Sequence, residues 1–491
     1  MFDITRAAVE GALGAGAAYA DARVVFTRTQ LITARDEVVE TLSQGESIGI
    51  GARALIGSSW GFFATPETTV AAARRAGERA AEIARASALV SGPGSGGAPS
   101  AAGPAPGGLA EVAPVVAHWE SPYEVHPLEV PLSEKSDLLI DVTATIRSVP
   151  GVSLAEADAS VWDTEKWFVS SEGHRISQRL VECGASMTAT AVGDSETQRR
   201  SYPGIRGQYG TRGWELVRAI DLVGNAGRIA EEAVALLQAP PCPAGTTDLI
   251  LGSEQLALQI HESVGHAIEL DRILGWEAAF AGTSFLDLSE LGHLRYGSGL
   301  MNITADATLP GALGSFGYDD EGTPAQRVDI VRDGIWVGVL SGRDSAPLAG
   351  VPAGGMVRAD GFNRLPMVRM TNVGLLPGES SLEEMIAETE DGIFMDTNRS
   401  WSIDDQRLNF QFGCEIAWEI KGGRRRRMLR NPTYTGITPQ FWGSLDRLGG
   451  AEEWEFWGTP NCGKGQPSQV GHTGHPAVPA RFRGVRVGVA G

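Results

Sequence analysis

Leu249-Ile250-Leu251-Gly252, continued by Ser253-Glu254-Gln255-Leu256-Ala257-Leu258-Gln259-Ile260-His261-Glu262-Ser263-Val264-Gly265-His266-Ala267-Ile268-Glu269-Leu270-Asp271, opens the second half of the chain. The short apolar run reads as a strand, and the residues from about Glu254 to Leu270 as a helix that carries two histidines. Beyond residue 300 short strands and turns dominate. Arg332-Asp333-Gly334 joins Val328-Asp329-Ile330-Val331 to Ile335-Trp336-Val337-Gly338-Val339 as a hairpin, so a largely antiparallel sheet or barrel is expected there.

Towards the N-terminus, residues 1–20 form an alanine-rich helical pattern whose small-residue stretch lies between Glu10 and Asp21, which reads as a helix and not as a signal peptide. Ala22–Arg28 and Ser47–Leu55 read as strands. Thr65-Pro66-Glu67 supplies an N-cap, a proline at the first helical position and a first-turn acid for a helix to about Ala88. Residues 91–108 contain only Gly, Pro, Ser and Ala, and are expected to be a flexible loop because they cannot bury enough apolar area to offset ordering. Ser133 is expected to cap a further helix, Val152–Val192 alternates as an antiparallel meander, and Trp214–Leu237 returns to helical spacing. The expected fold class is α+β. A mixed α/β N-terminal domain (1–220) precedes a mainly antiparallel C-terminal domain (240–491), with a soft boundary between 200 and 245 where Pro240-Pro241-Cys242-Pro243 breaks the pattern.

With 41 Lys and Arg against 60 Asp and Glu, the net charge of −19 repels phosphate backbones and anionic lipid, so neither nucleic acid nor a membrane is an expected partner. No run of apolar residues is long enough to span a bilayer. The run Arg424-Arg425-Arg426-Arg427 is read as a solvated turn between strands. Cys183, Cys242, Cys414 and Cys462 show no C-x-x-C pairing, which fits a reducing, cytoplasmic setting.

His261 and His266 flank Glu262 in a pattern that resembles the zinc-protease H-E-x-x-H lengthened by one residue. In a regular α-helix residues four apart share a face, whereas residues five apart are rotated round the axis and could not both reach one ion. A distorted helix over 261–266 is therefore predicted, a one-turn π-bulge with Gly265 as the adaptable point. Two unrelated histidines on an ordinary helix are the plainer alternative. A catalytic zinc takes three protein ligands and keeps an open position, so a donor from elsewhere is needed. Cys462, in the glycine-flanked loop Asn461-Cys462-Gly463-Lys464, is the foremost candidate, with Lys464 placed to favour the thiolate. His472, His475 and Glu269 are the rivals. Glu262 would then be the general base of metal-assisted amide hydrolysis. No Walker glycine loop is present.

The chain resembles the TldD/PmbA family, in its metal-bearing TldD branch. The resemblance rests on Gly51-Ala52-Arg53-Ala54-Leu55-Ile56-Gly57 with Trp60-Gly61-Phe62, Ser170-Ser171-Glu172-Gly173, the 261–266 stretch with Glu269 and Asp271, and Thr308-Leu309-Pro310-Gly311. It continues through Asp319-Asp320-Glu321-Gly322-Thr323-Pro324, Arg369-Met370-Thr371-Asn372 and Cys462-Gly463-Lys464. It implies a zinc metallopeptidase with His261, His266 and Cys462 as ligands and Glu262 as base. It implies further a dimer around an enclosed cavity, either a homodimer or a heterodimer with a PmbA-like chain, acting on unfolded peptides or peptide precursors. A non-catalytic peptide-binding partner and a metal hydrolase acting on a non-peptide amide are the alternatives. His472, His475 and the glycine/proline stretch at 91–108 depart from the family pattern.

Overall fold

Alternating side chains draw the first half of the chain into long antiparallel ribbons. In a computed structural model describing residues 1–90, 108–280 and 282–489, these are β1 (Tyr19–Arg35), β2 (Val38–Ile56), β3 (Ser59–Thr65), β4 (Val116–Glu120), β5 (Val152–Ser170), β6 (Arg175–Val192), β7 (Thr197–Tyr202) and β8 (Gln208–Gly210). They make one sheet in the order β3-β2-β1-β5-β6-β4, with β7 and β8 also paired to β6. β4 runs parallel to β6. The β1–β2 turn has two residues, Asp36 and Glu37, both at positive φ, the backbone that matches the twist of the flanking strands. The stretch expected to be a flexible loop falls, but for Gly108, outside the described residues.

Helices α1 (Phe2–Gly14) and α2 (Val70–Val90) cover one end of this sheet over Ala20, Ala22, Val24, Ile50, Ala52 and Ala54. Small residues set their approach: a Cβ on Gly77 would stand 1.8 Å from the carbonyl oxygen of Ala8. At the other end, α3 (Leu132–Arg147), α4 (Glu215–Ile220) and α5 (Leu222–Gln238) bury Ile32, Ala34 and the inward alanines of β5 and β6.

Three helix starts differ from expectation. α2 begins at Val70, not at Pro66, because Thr69 Oγ1 accepts from the Ala72 N–H. Ser133 lies inside the first turn of α3, behind Pro131, and caps nothing. The 214–237 segment is two helices because Asp221, at φ 51°, ends the first and caps the second through the Gly224 N–H.

In the second half β9 (Gly245–Leu251) pairs with Asp391–Ile403 on one side and Ala480–Val489 on the other. The pairing continues through Pro432–Ile437 and Asn409–Lys421 and returns to Asp391–Ile403, closing a ring of five strands. A smaller sheet holds β10 (Ile303–Asp306), β11 (Arg327–Arg332), β12 (Ile335–Trp336) and the Val373–Leu375 strand. The expected hairpin is there, with Asp333 and Gly334 both at positive φ. Arg425–Leu429 forms a strand at the sheet's edge and not merely a turn; Arg425 packs over Phe394 and Arg427 pairs with Glu419. The fold is thus α+β. Among the described residues no helix is long and apolar enough to cross a membrane.

Candidate metal centre

β9 delivers the chain through Gly252 into α6 (Ser253–Ile260), whose Leu256 and Ile260 sit in the large core of the second half with Tyr434 and Trp442. At His261 the helix widens into a π-turn over His261–Gly265, closed by the His266 N–H on the His261 carbonyl at 3.2 Å. The extra residue is absorbed where the spacing predicted, and the two imidazoles meet edge to face with centroids 4.8 Å apart. Ser263 anchors the turn: its carbonyl accepts from Tyr296 Oη at 2.6 Å, and its hydroxyl donates to the Gln259 carbonyl and accepts from Trp442 Nε1. Gly265 is needed because a Cβ there would lie 2.1 Å from Met370 Sδ.

Cys462 stands opposite, on the Glu455–Lys464 strand of a two-stranded ribbon with Gln469–Ala477, at a bulge between Thr459 and Cys462; it is not in a loop. Its Sγ is 3.7 Å from His266 Nε2. One donor atom each from His261, His266 and Cys462 lie within 4.8 Å of one another, and all three side chains are buried.

The outward nitrogens of both rings are already engaged. His266 Nδ1 bonds Glu269 Oε2 at 2.9 Å, and the carboxylate, which can only accept, fixes the proton on Nδ1. For His261 the partner is His475, whose Nε2 is 2.7 Å from His261 Nδ1. His475 Nδ1 faces the Val373 carbonyl at 3.0 Å and must be its donor, so Nε2 is the acceptor, shared with Thr473 Oγ1 at 3.1 Å. Both candidate rings therefore keep their Nε2 lone pairs free.

Burial holds all three imidazoles neutral: it brings His261 to about 4, lowers His266 against the pull of Glu269, and takes His475 well below the ordinary value, with His261 adding to the effect. At Cys462 burial opposes ionisation, and what brings the thiol below its usual range is His266, which acts only while its ring is protonated, together with the Arg369 guanidinium. Lys464, expected to favour the thiolate, instead binds Asp271 at 2.8 Å and the Val368 carbonyl, and lies 3.3 Å from Glu269. Together with His266 it takes the Glu269 carboxyl well below the ordinary range in spite of burial. Two neutral imidazoles and a thiol beside the Arg369 guanidinium are donors that suit a divalent transition metal, and the cluster fits one.

Of the rival donors, Glu269 and His475 touch the back of the two rings. His472 is elsewhere, hydrogen-bonded to Glu182 at 3.0 Å and packed on Trp162. It lines a separate cavity of about 470 Å³, which lies between the first sheet and Arg358 and contains none of the clustered donors.

The donors open instead on a polar cavity of about 360 Å³ that Glu262, Arg206, Trp401, Arg407 and Asn461 also line. Glu262 Oε2 accepts from Arg407 Nη1 at 2.7 Å. Arg407 sits in the turn between the Asp391–Ile403 and Asn409–Lys421 strands at φ 64°, a backbone state uncommon for arginine. No periodicity or motif marked Arg206, Trp401 or Arg407 in the sequence.

The chain has counterparts among known proteins. Models of the PmbA/TldA metallopeptidase family match in three successive segments: domain 1 at residues 20–84, the central domain at 125–239 and the C-terminal domain at 244–488. The chain belongs to the PmbA/TldD metallopeptidase family. Relatives include a metalloprotease of Methanocaldococcus jannaschii, 28% identical over 93% of this chain and 94% of its own, and a metalloprotease TldD homolog of Haemophilus influenzae, 27% identical over 94% and 91%. A zinc metalloprotease TldD homolog of Saccharolobus solfataricus is 26% identical over 40% of this chain and 42% of its own. Among solved structures, TldE of Thermococcus kodakarensis shares the fold with a TM-score of 0.69 at 15% identity, covering 98% of both chains.

Proposed function

We propose that the protein is a zinc-dependent metallopeptidase that hydrolyses unfolded peptides or peptide precursors, with His261, His266 and Cys462 as metal ligands and Glu262 as general base. The observation that carries this reading is the convergence of three buried donor atoms within 4.8 Å, beside a carboxylate that opens on the same cavity. The zinc metalloprotease name of a relative supports the choice of metal. When bound, zinc would supply Lewis-acid activation of the scissile carbonyl and of the attacking water. Glu262, next in sequence to a ligand but pointing into the cavity, takes the proton from that water and returns it to the leaving amine. Arg407 orients the carboxylate for both transfers.

The N-terminal α/β part (1–220) and the C-terminal part (240–491) act as the two domains of one subunit. A dimer, with a second copy or with a PmbA-like chain, encloses the site; the fold shared with TldE favours such pairing. A cytoplasmic setting suits the four unpaired cysteines.

The test joins zinc content with cleavage of a disordered polypeptide by the wild type and by Glu262→Ala. Cleavage should vanish while zinc stays at one per chain. Unchanged cleavage in the variant removes Glu262 from the mechanism, and a wild type that neither holds zinc nor cuts removes the reading.

A further inference from the structure

A cavity of about 310 Å³, the size of a small-ligand site, shares no lining residue with either of the two described above. Arg53, Trp60, Asp271 and Glu321 line it, residues of three sequence blocks singled out before the fold was described, and the chemistry at the metal centre uses none of them. Its charge is lopsided. Arg53 faces Asp21 and Glu321, Lys464 faces Asp271 and Glu269, and Arg272 shares Glu269, so these three cations are already outnumbered by carboxylates. Two further acids, Glu277 and Asp344, line the cavity, and among the described residues no side chain of another residue donates to either or pairs with it. Asp271, only 4% exposed, engages Oδ1 with Lys464 and the Arg272 N–H and leaves Oδ2 without a donor. Burial raises the carboxyls of all three. Asp271 adds to the shift of both others, so it lies within electrostatic reach of each. Like charges held together out of water repel, and a cation among them relieves the repulsion.

The walls define which cation fits. Among the described residues the donors gathered closely enough for one metal ion are His261, His266 and Cys462, so these carboxylates are spread too widely to share one. A ligand with reach is needed. Val357 and Met367 offer apolar wall for an aliphatic stem. Trp276 and the 57%-exposed Phe280 add ring faces that meet no other ring or cation among the described residues, which suits an ammonium group.

We propose that this cavity binds an aliphatic diamine as its dication, with one ammonium toward Asp344, the other toward Glu277, and the methylenes between them along Val357 and Met367. Asp271 serves both ends, and Trp276 and Phe280 lie over the charge. The site stands apart from the peptidase reading and does not require it.

Calorimetric titration of the full-length, zinc-loaded protein with cadaverine, pentylamine and pentanediol tests this. Cadaverine should bind at one per chain and about 10- to 100-fold more tightly than pentylamine, the range of a charge-assisted pair, and pentanediol should give no measurable binding. Asp344→Asn and Glu277→Gln should each bring cadaverine down to the affinity of pentylamine, and Trp276→Ala should weaken it about 3- to 30-fold, while zinc stays at one per chain. Equal affinity for diamine and monoamine, a diol bound as tightly as the diamine, or no binding of cadaverine at millimolar concentration each overturns the inference on the parent protein alone, whether or not the variants fold. Cadaverine binding that survives both carboxamide variants unchanged overturns it too, because the amine then sits elsewhere, the metal cavity included. A wild type that binds cadaverine as expected but cuts no peptide would sink the peptidase reading and leave the diamine site standing.

Discussion

His475 determines which nitrogen His261 can present. The Val373 carbonyl forces the His475 proton onto Nδ1, the lone pair on Nε2 then takes the His261 Nδ1 proton, and the free lone pair of His261 must be on Nε2. Removing the last member of that chain lets His261 rotate or change tautomer. His475→Ala is therefore expected to weaken zinc binding by about 10- to 100-fold, the usual effect of losing a partner behind a ligand. Competition with a chromophoric chelator measures this, and a variant with parental affinity would show that His261 is held in place without His475. Single residues were unevenly legible in the sequence. His261, Glu262, His266 and Cys462 could be found because their chemistry is rare and the spacing forces a distortion. Arg206 and Arg407 could not, since an arginine in a turn carries no local mark of what it will face once distant strands pair. Lys464 was misplaced for a related reason: two residues along a strand from Cys462 it shares that face of the ribbon, but Asp271 and Glu269, brought there from beyond the π-turn, take its ammonium.

At the scale of elements, α6 and the π-turn show how a motif with one residue too many still works. Period and patterning announced the helix, and the need to bring both rings to one side announced the distortion; what holds it open, Tyr296, Trp442 and Met370, comes from segments no local rule connects. Gly265→Ala should press on Met370 Sδ and cost about 1–3 kcal/mol of stability, an overpacking penalty, and Met370→Ala in the same chain should return part of it. Chemical denaturation of the four members of this cycle tests the coupling, and strictly additive effects would disprove the contact. The first turn of α6 carries a second expectation. Burial raises the Glu254 carboxyl from an ordinary value of 4.5 to about 8, with Asp396 and Glu415 reinforcing the shift. The folded chain thus keeps a proton that the unfolded chain has released above pH 4.5, so the stabilisation is complete below that pH and is lost as pH rises through about 8. Urea midpoints measured from pH 5 to 9 should fall less steeply for Glu254→Gln than for the parent. Parallel slopes would mean that Glu254 is already ionised in the folded protein.

For the molecule as a whole, the question is what locks the first sheet to the second half of the chain. The sequence offered the block Asp319-Asp320-Glu321 without a reason for three successive acids. In the fold each has its own task. Asp319 accepts the N–H groups of Glu321, Thr323 and Val357, Asp320 binds Lys166 of β5 at 3.1 Å, and Glu321 reaches Arg53 of β2 at 3.1 Å. Arg53 also holds Asp21 of β1 and lies over Trp60, and Arg53, Asp21 and Glu321 are all buried. Such a network is weak evidence of net stabilisation, because desolvating the charges offsets most of their attraction, but breaking it from one side is costly. Arg53→Met leaves Asp21 and Glu321 buried without their shared cation and should cost about 3–5 kcal/mol. The loss falls at the junction of the two halves, each of which has its own apolar core. Calorimetry should therefore show the single transition of the parent separating into two, the earlier one from the first sheet. Adding Asp21→Asn and Glu321→Gln removes the stranded charges and should bring the transitions back together. An Arg53→Met protein that melts in one step at the parental temperature would mean that the halves are joined by apolar packing alone and that Arg53 is dispensable to their union.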